Sequence, residues 1–276
     1  MLRFLFLLSL TLPLLADPTP TQLTNLPYKS GPQLTEYEQS RCQLDLYLPP
    51  NKTNFPTLLW FHGGGLQNGS KDNENVAPLG PSLAKEGLAV VIPNYRLSPQ
   101  AKYPAYLEDA AAALAWTFAN IEQHGGDPKR IYLGGHSAGG YLTLMLGMDP
   151  RWLNKHNLTR DQIAGLIPVA PQTMTHLTIR EERLGTKSPF TIFADQDAPV
   201  QHANRKGLPP LLILWADNDM PARAEECAYL VALLKGAKNT SVTALEIPNR
   251  DHGTVAHYIA NPNDPARQAI LRFITP

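Results

Sequence analysis

The sequence predicts an α/β protein, a mostly parallel sheet with helices packed on both faces. Three observations carry this reading. Continuous apolar runs at 57–62, 88–92 and 211–215 have the length and composition of strands covered on both sides. Helix-favouring stretches at 104–124, 140–148 and 222–234 stand between such runs. The two kinds of segment alternate, and parallel neighbours need a crossover between them, which the intervening helices supply.

Each element has a local reason. Arg3 followed by the apolar run 4–15 and small Ala16 reads as a signal peptide over 1–16, too short to span a bilayer, which takes about 20 residues. The expectation is a secreted or periplasmic protein with no stable membrane insertion, and one domain over 17–276. Residues 17–34 are rich in Pro, Thr and Gln and read as an irregular lead-in. Leu44, Leu46 and Leu48 alternate with Asp45 and Tyr47, an edge-strand pattern stopped by Pro49 and Pro50. The strand at 57–62 ends in Gly63, Gly64 and Gly65. A buried strand at 88–92 precedes a helix over 104–124, with Pro104 in its first turn and Gly125-Gly126 closing it. A strand at 131–134 leads into Ser137, a helix follows at 140–148, and the next strand is 163–170. Residues 171–207 lack a clear period and read as an insertion covering the pocket. The strand at 211–215, a helix at 222–234 ended by Gly236, a strand at 242–247 and a closing helix at 265–273 complete the chain.

The 276 residues are 43% hydrophobic and 17% charged, enough to bury a sizeable core. Lys+Arg and Asp+Glu are equal at 24 each, which gives no electrostatic case for a nucleic-acid partner. No internal repeat is evident. Cys42 and Cys227 make no disulfide framework and sit in no metal or redox motif; their pairing and the oligomeric state stay open.

The chemistry-bearing residues fall at the predicted carboxyl ends of strands, where open α/β sheets bind ligands. Gly135-His136-Ser137-Ala138-Gly139 is G-x-S-x-G between a strand and a helix. The glycines allow a strained turn that lifts a serine hydroxyl above the sheet. His62-Gly63-Gly64-Gly65 closes the 57–62 strand, and glycines let the main chain approach a reacting group closely. The N–H groups of Gly64, Gly65 and Ala138 are the candidates for holding an oxyanion, with His62 orienting the loop. A serine needs a histidine to take its proton and a carboxylate to hold that histidine. In the order Ser, acid, His, the base is His252, in a polar loop after the last strand, with His257 as runner-up. The acid is Asp219, with Asp217 as rival; Asp195 and Asp197 precede the strand.

These residues resemble a known group. HGGG at 62–65, NYRLSP at 94–99, Tyr103-Pro104, Glu108-Asp109 and GHSAGG at 135–140 look like the hormone-sensitive-lipase-like and bacterial feruloyl/acetylxylan esterase-like α/β hydrolases. DPRWL at 149–153 and Asn218-Asp219-Met220 look closer to the second, BD-FAE-like branch. The resemblance implies the α/β-hydrolase fold with eight strands, ester hydrolysis without cofactor, and Ser137, Asp219 and His252 by matching position. Two departures stand out: the lead-in is too short for a two-helix cap, and Trp215-Ala216 stands where Gly is common. Tyr95-Arg96 and Asp109 read as scaffold. Within the insertion, Met174, Leu177, Phe190 and Phe193 are candidates for an apolar acyl wall. The expected substrate is a small-molecule or polysaccharide-linked ester, such as acetyl or feruloyl. A lipase, an arylformamidase-like amide hydrolase and a non-catalytic binding module are the alternatives.

Overall fold

A computed structural model describes residues 19–185, 192–238 and 240–275. Eight strands form one sheet: β1 (Thr21–Pro27), β2 (Gln43–Leu48), β3 (Phe55–Phe61), β4 (Ala89–Pro93), β5 (Gly126–His136), β6 (Gly165–Val169), β7 (Leu211–Asn218) and β8 (Val242–Asp251). Their spatial order is β1-β2-β4-β3-β5-β6-β7-β8. β2 runs antiparallel to both β1 and β4, and every other pairing is parallel. The described residues hold nine α-helices, seven of them between strands and the last two after β8: α1 (Glu36–Arg41), α2 (Leu79–Ala84), α3 (Ala105–Asn120), α4 (Ala138–Met148), α5 (Pro150–Asn154), α6 (Leu177–Leu184), α7 (Arg223–Ala237), α8 (Thr254–His257) and α9 (Pro265–Ile274). This is the α/β-hydrolase fold.

The central strand β3 is buried at every position. Its side chains alternate between two cores, one on each face. Phe55, Leu59 and Phe61 join α3, α4 and α7 in one cluster. Leu58 and Trp60 join α2, α8 and α9 in the other. The predicted scaffold pair is present: Arg96 Nε and Nη2 each lie 2.8 Å from the buried carboxylate of Asp109, which Lys29 also contacts.

Three expectations need correction. The 44–48 strand is interior; the sheet edge is β1, inside the stretch read as an irregular lead-in. β1 faces solvent at most positions, so it lacks the apolar run that marks a buried strand. Its pairing with β2 shifts between Leu23 and Leu26, where Asn25 takes φ +55° and its N–H donates to Asp45. The 104–124 helix stops at Asn120 and gives way to a 3₁₀ turn over Ile121–His124, ended by Gly125 at φ +90°. Gly236 does not end α7, which continues to Ala237 and stops at left-handed Lys238.

Cys42 and Cys227 are buried free thiols. Burial pushes them up to about 11 and about 12 respectively. No helix among the described residues is long and apolar enough to cross a membrane. Residues 1–16, read as a signal peptide, lie outside the described residues.

Candidate active site

Four strands end at the residue before a chemically distinctive side chain: β3 before His62, β5 before Ser137, β8 before His252, and β7 before Asp219. The sheet therefore delivers all four to one edge.

Ser137 turns β5 into α4 with φ +55° and ψ −113°, a conformation that costs a non-glycine residue on the order of 1–3 kcal/mol. The turn closes only on glycine. A Cβ on Gly139 would stand 2.1 Å from the Phe61 carbonyl oxygen, and one on Gly135 2.6 Å from Gly139. The Ser137 N–H donates to the Val169 carbonyl at 2.8 Å, which ties the turn to β6.

His252 reaches Ser137 and Asp219 at once. Its Nε2 is 2.9 Å from Ser137 Oγ, and its Nδ1 is 2.6 Å from Asp219 Oδ1. The Asp219 side chain is 1% exposed. It also accepts N–H bonds from Met220 at 2.8 Å and Ala216 at 3.2 Å. Burial works against its ionisation, yet the hydrogen bond and charge of His252, with those two amides, hold the carboxyl below its usual range. An ionised Asp219 accepts a hydrogen bond from Nδ1–H, so Nε2 is the acceptor for the serine hydroxyl. Asp217 instead accepts the N–H groups of Asn249 and Arg250 at 2.8 and 3.0 Å, joining the ends of β7 and β8. His257 does not enter the arrangement.

The sequence reading passed over His136, the variable position of the G-x-S-x-G motif. Its Nε2 lies 2.7 Å from the His252 carbonyl oxygen. A carbonyl only accepts, so His136 donates from Nε2. Burial pushes His136 down to about 3, which keeps it neutral. The only signal in the sequence is adjacency to the nucleophile.

The glycine loop lies against this turn. A Cβ on Gly63 would meet His136 Nδ1 at 3.0 Å and the Ser137 Cβ at 3.5 Å. One on Gly64, at φ +109°, would collide with the Asn68 carbonyl at 2.1 Å. His62 orients the loop: its Nδ1 bonds the Gly63 carbonyl at 2.7 Å, its ring stacks on Tyr95 at 4.2 Å, and the Tyr95 hydroxyl donates to the His62 carbonyl at 2.8 Å. Among the described residues, the N–H groups of Gly64, Gly65 and Ala138 have no hydrogen-bond acceptor. Free amides beside a nucleophile are what a developing oxyanion requires.

A cleft of about 380 Å³ opens beside the loop, bordered by Gly63, Gly64, His136 and Gly253. Buried Trp60 and Leu79 form its inner wall, and exposed Asn68, Asn73 and Asn75 its rim. This cleft is bordered by neither Ser137 nor His252, and by none of Met174, Leu177 and Phe193. Met174 packs against the core cluster that holds Phe55, Leu59 and Phe61. Phe190 lies outside the described residues. The segment around α6 is drawn together by ion pairs instead: Arg151 with Asp149 and Asp197, and Arg183 with Asp195 and Asp197.

Residues 44–164 match the family model described as BD-FAE. Esterase LipC of Mycobacterium tuberculosis is 27% identical over 216 residues, covering 72% of this chain and 53% of LipC. Carboxylesterase NlhH of the same organism is 28% identical over 246 residues, covering 79% of this chain and 72% of NlhH. The chain thus spans about half the length of the first relative and nearly three quarters of the second. A solved structure described as a truncated form of carbohydrate esterase from gut microbiota superposes with TM-score 0.76 at 21% identity, over 94% of this chain and 97% of that one. The chain has the α/β-hydrolase fold and is similar in sequence to esterases.

Proposed function

We propose that this chain is a serine carboxylesterase that hydrolyses short-chain or aromatic carboxylic esters through an acyl-enzyme. The observation that carries the reading is the unbroken hydrogen-bonded line from Ser137 Oγ through His252 to Asp219. His252 Nε2 takes the Ser137 proton as Oγ attacks the ester carbonyl carbon. Negative charge gathers on the carbonyl oxygen, where the amides of Gly64, Gly65 and Ala138 hold it, each worth roughly 3 kcal/mol. The imidazolium, stabilised by Asp219, returns its proton to the departing alcohol, leaving an acyl ester on Ser137. Water then attacks that ester, with His252 again taking and returning one proton, and the carboxylic acid leaves.

The Asn68, Asn73 and Asn75 rim supports a hydroxyl-rich alcohol or a substituted aromatic acyl group at the cleft. Acetyl or feruloyl esters of plant polysaccharide have that chemistry, and the expected signal peptide, which implies a secreted or periplasmic protein, suits an extracellular ester. Turnover of p-nitrophenyl esters of increasing chain length, with methyl ferulate and acetylated xylan, tests the reading. Ser137→Ala is expected to lower kcat on the order of a million-fold. Wild-type turnover in that variant would sink it. An arylformamide that outpaces every ester would move the reading to amide hydrolysis.

A further inference from the structure

The Thr178 hydroxyl donates to the Gly65 carbonyl and so joins α6 to the glycine loop. Thr178 is 2% exposed, and its own N–H is held at 3.2 Å by Nδ1 of His176, the cap of α6. Among the described residues, no other donor reaches the Gly65 carbonyl. The loop it touches has unusual backbone geometry. Gly64, Gly65 and Leu66 follow one another at φ +109°, +65° and +61°, and Leu66 lacks the freedom of glycine there. Such a stretch keeps its shape only where its surroundings over-determine it. Ser98 N–H bonds the Leu66 carbonyl at 2.8 Å, and the Gln67 side chain bonds Glu181 of α6 at 3.0 Å. Two of these three restraints come from the insertion between β6 and β7.

We infer that Thr178 is a positioning residue for the oxyanion-holding loop. Its hydroxyl fixes Gly65 so that the Gly64 and Gly65 amides face the reacting carbonyl oxygen. The insertion thereby acts on the rate of the chemical step. This rests on the esterase reading above. Its consequence follows from where the loop acts: the amides bind the oxyanion of the tetrahedral state more strongly than the neutral carbonyl of the ground state. Loss of the Thr178 hydroxyl therefore falls on kcat and leaves KM nearly unchanged.

The test is steady-state hydrolysis of p-nitrophenyl butyrate by the full chain carrying Thr178→Val, Thr178→Ser or Ser137→Ala, with thermal unfolding followed in parallel. Valine keeps the shape and removes the donor; serine keeps the donor. Thr178→Val is expected to lower kcat by about tenfold to a hundredfold with KM within about twofold, and Thr178→Ser to restore most of it. Affinity for an aryl trifluoromethyl ketone, which forms an oxyanion adduct on the serine, should fall by the same factor as kcat/KM. Should Thr178→Val not fold, Thr178→Ala removes the same donor without added bulk and is read the same way. Wild-type kcat in a folded hydroxyl-free variant, with Ser137→Ala inactive, overturns the role of Thr178 and leaves the esterase reading standing. A rise in KM alone also overturns it. Activity surviving Ser137→Ala removes the esterase reading itself.

Discussion

At the scale of single residues, two carboxylates two positions apart do different work. In extended chain, positions i and i+2 share a face, so the sequence left Asp217 and Asp219 as rivals. What separates them is that β7 ends at Asn218. Beyond it the chain turns, and Asp219 meets His252 while Asp217 stays with the backbone of Asn249 and Arg250. Asp219→Asn should therefore lower kcat about ten-thousandfold, because an amide no longer fixes the productive tautomer. Asp217→Asn should leave kcat within about tenfold, its effect appearing as an easier loss of the β7–β8 loop contact. Steady-state kinetics on both variants checks the pair, and equal losses would refute the assignment. His136 adds a third case. Its Nε2–H holds the carbonyl of His252 and so the register of the imidazole. His136→Phe should lower kcat by about tenfold or more, since it loosens the base; steady-state kinetics on the variant checks this, and wild-type kcat would refute it.

At the scale of elements, the apolar runs found the buried middles of strands and missed their ends. β5 begins Gly126-Asp127-Pro128, and β8 ends Asn249-Arg250-Asp251, polar stretches anchored to the sheet where Gly126 pairs with Phe55 and Asp251 with Asn218. Hydrophobic pattern reports burial and is blind to such pairing. β8 buries only Ile247, and β1 buries nothing in full, which is why the sheet edge was the least legible part. The strand-to-site junctions were legible because Gly-rich turns mark them. β2 shows a polar device that pattern also hides. Asp45 points into the fold, 2.9 Å from Lys71 Nζ, with the two side chains 4% and 3% exposed. Lys71 leads into the Asn73–Asn75 rim of the cleft, so the pair pins that loop to the sheet. Removing one partner of a buried pair strands the other charge, a loss of about 3–5 kcal/mol. Lys71→Met should lower unfolding stability by about that amount, read from urea midpoints at neutral pH; an unchanged midpoint would show that Asp45 is stabilised by other means.

At the scale of the whole molecule, folding keeps several imidazoles neutral. Burial pushes His62 down to about 3 and holds His176 well below its usual value. The two are 1% and 2% exposed. His202 is lowered too, mainly by burial, with the Asp149 carboxylate at 3.7 Å working in the opposite direction. In the unfolded chain each takes a proton near pH 6.5. Their folded values are depressed, so the unfolded state binds more protons at any pH between the two values. The stability they contribute is whole above about pH 6.5 and is lost as pH falls toward the folded values. Each such histidine gives a slope of about 1.4 kcal/mol per pH unit, and His62 and His176 together about 3. The lowered carboxyls of Asp217, Asp219 and Asp251 act in a different window: their contribution persists down to about pH 4 and is lost below it. Urea unfolding between about pH 7 and about pH 5 isolates the imidazoles, because the carboxylates stay ionised in both states there. The expected result is a steep fall in unfolding free energy, with His176→Asn reducing the slope by about one proton. A free energy that stays level across that interval would mean the buried rings are protonated or hydrated in the fold. His62, stacked on Tyr95 under the glycine loop, would then not be the neutral support that holds that loop in place.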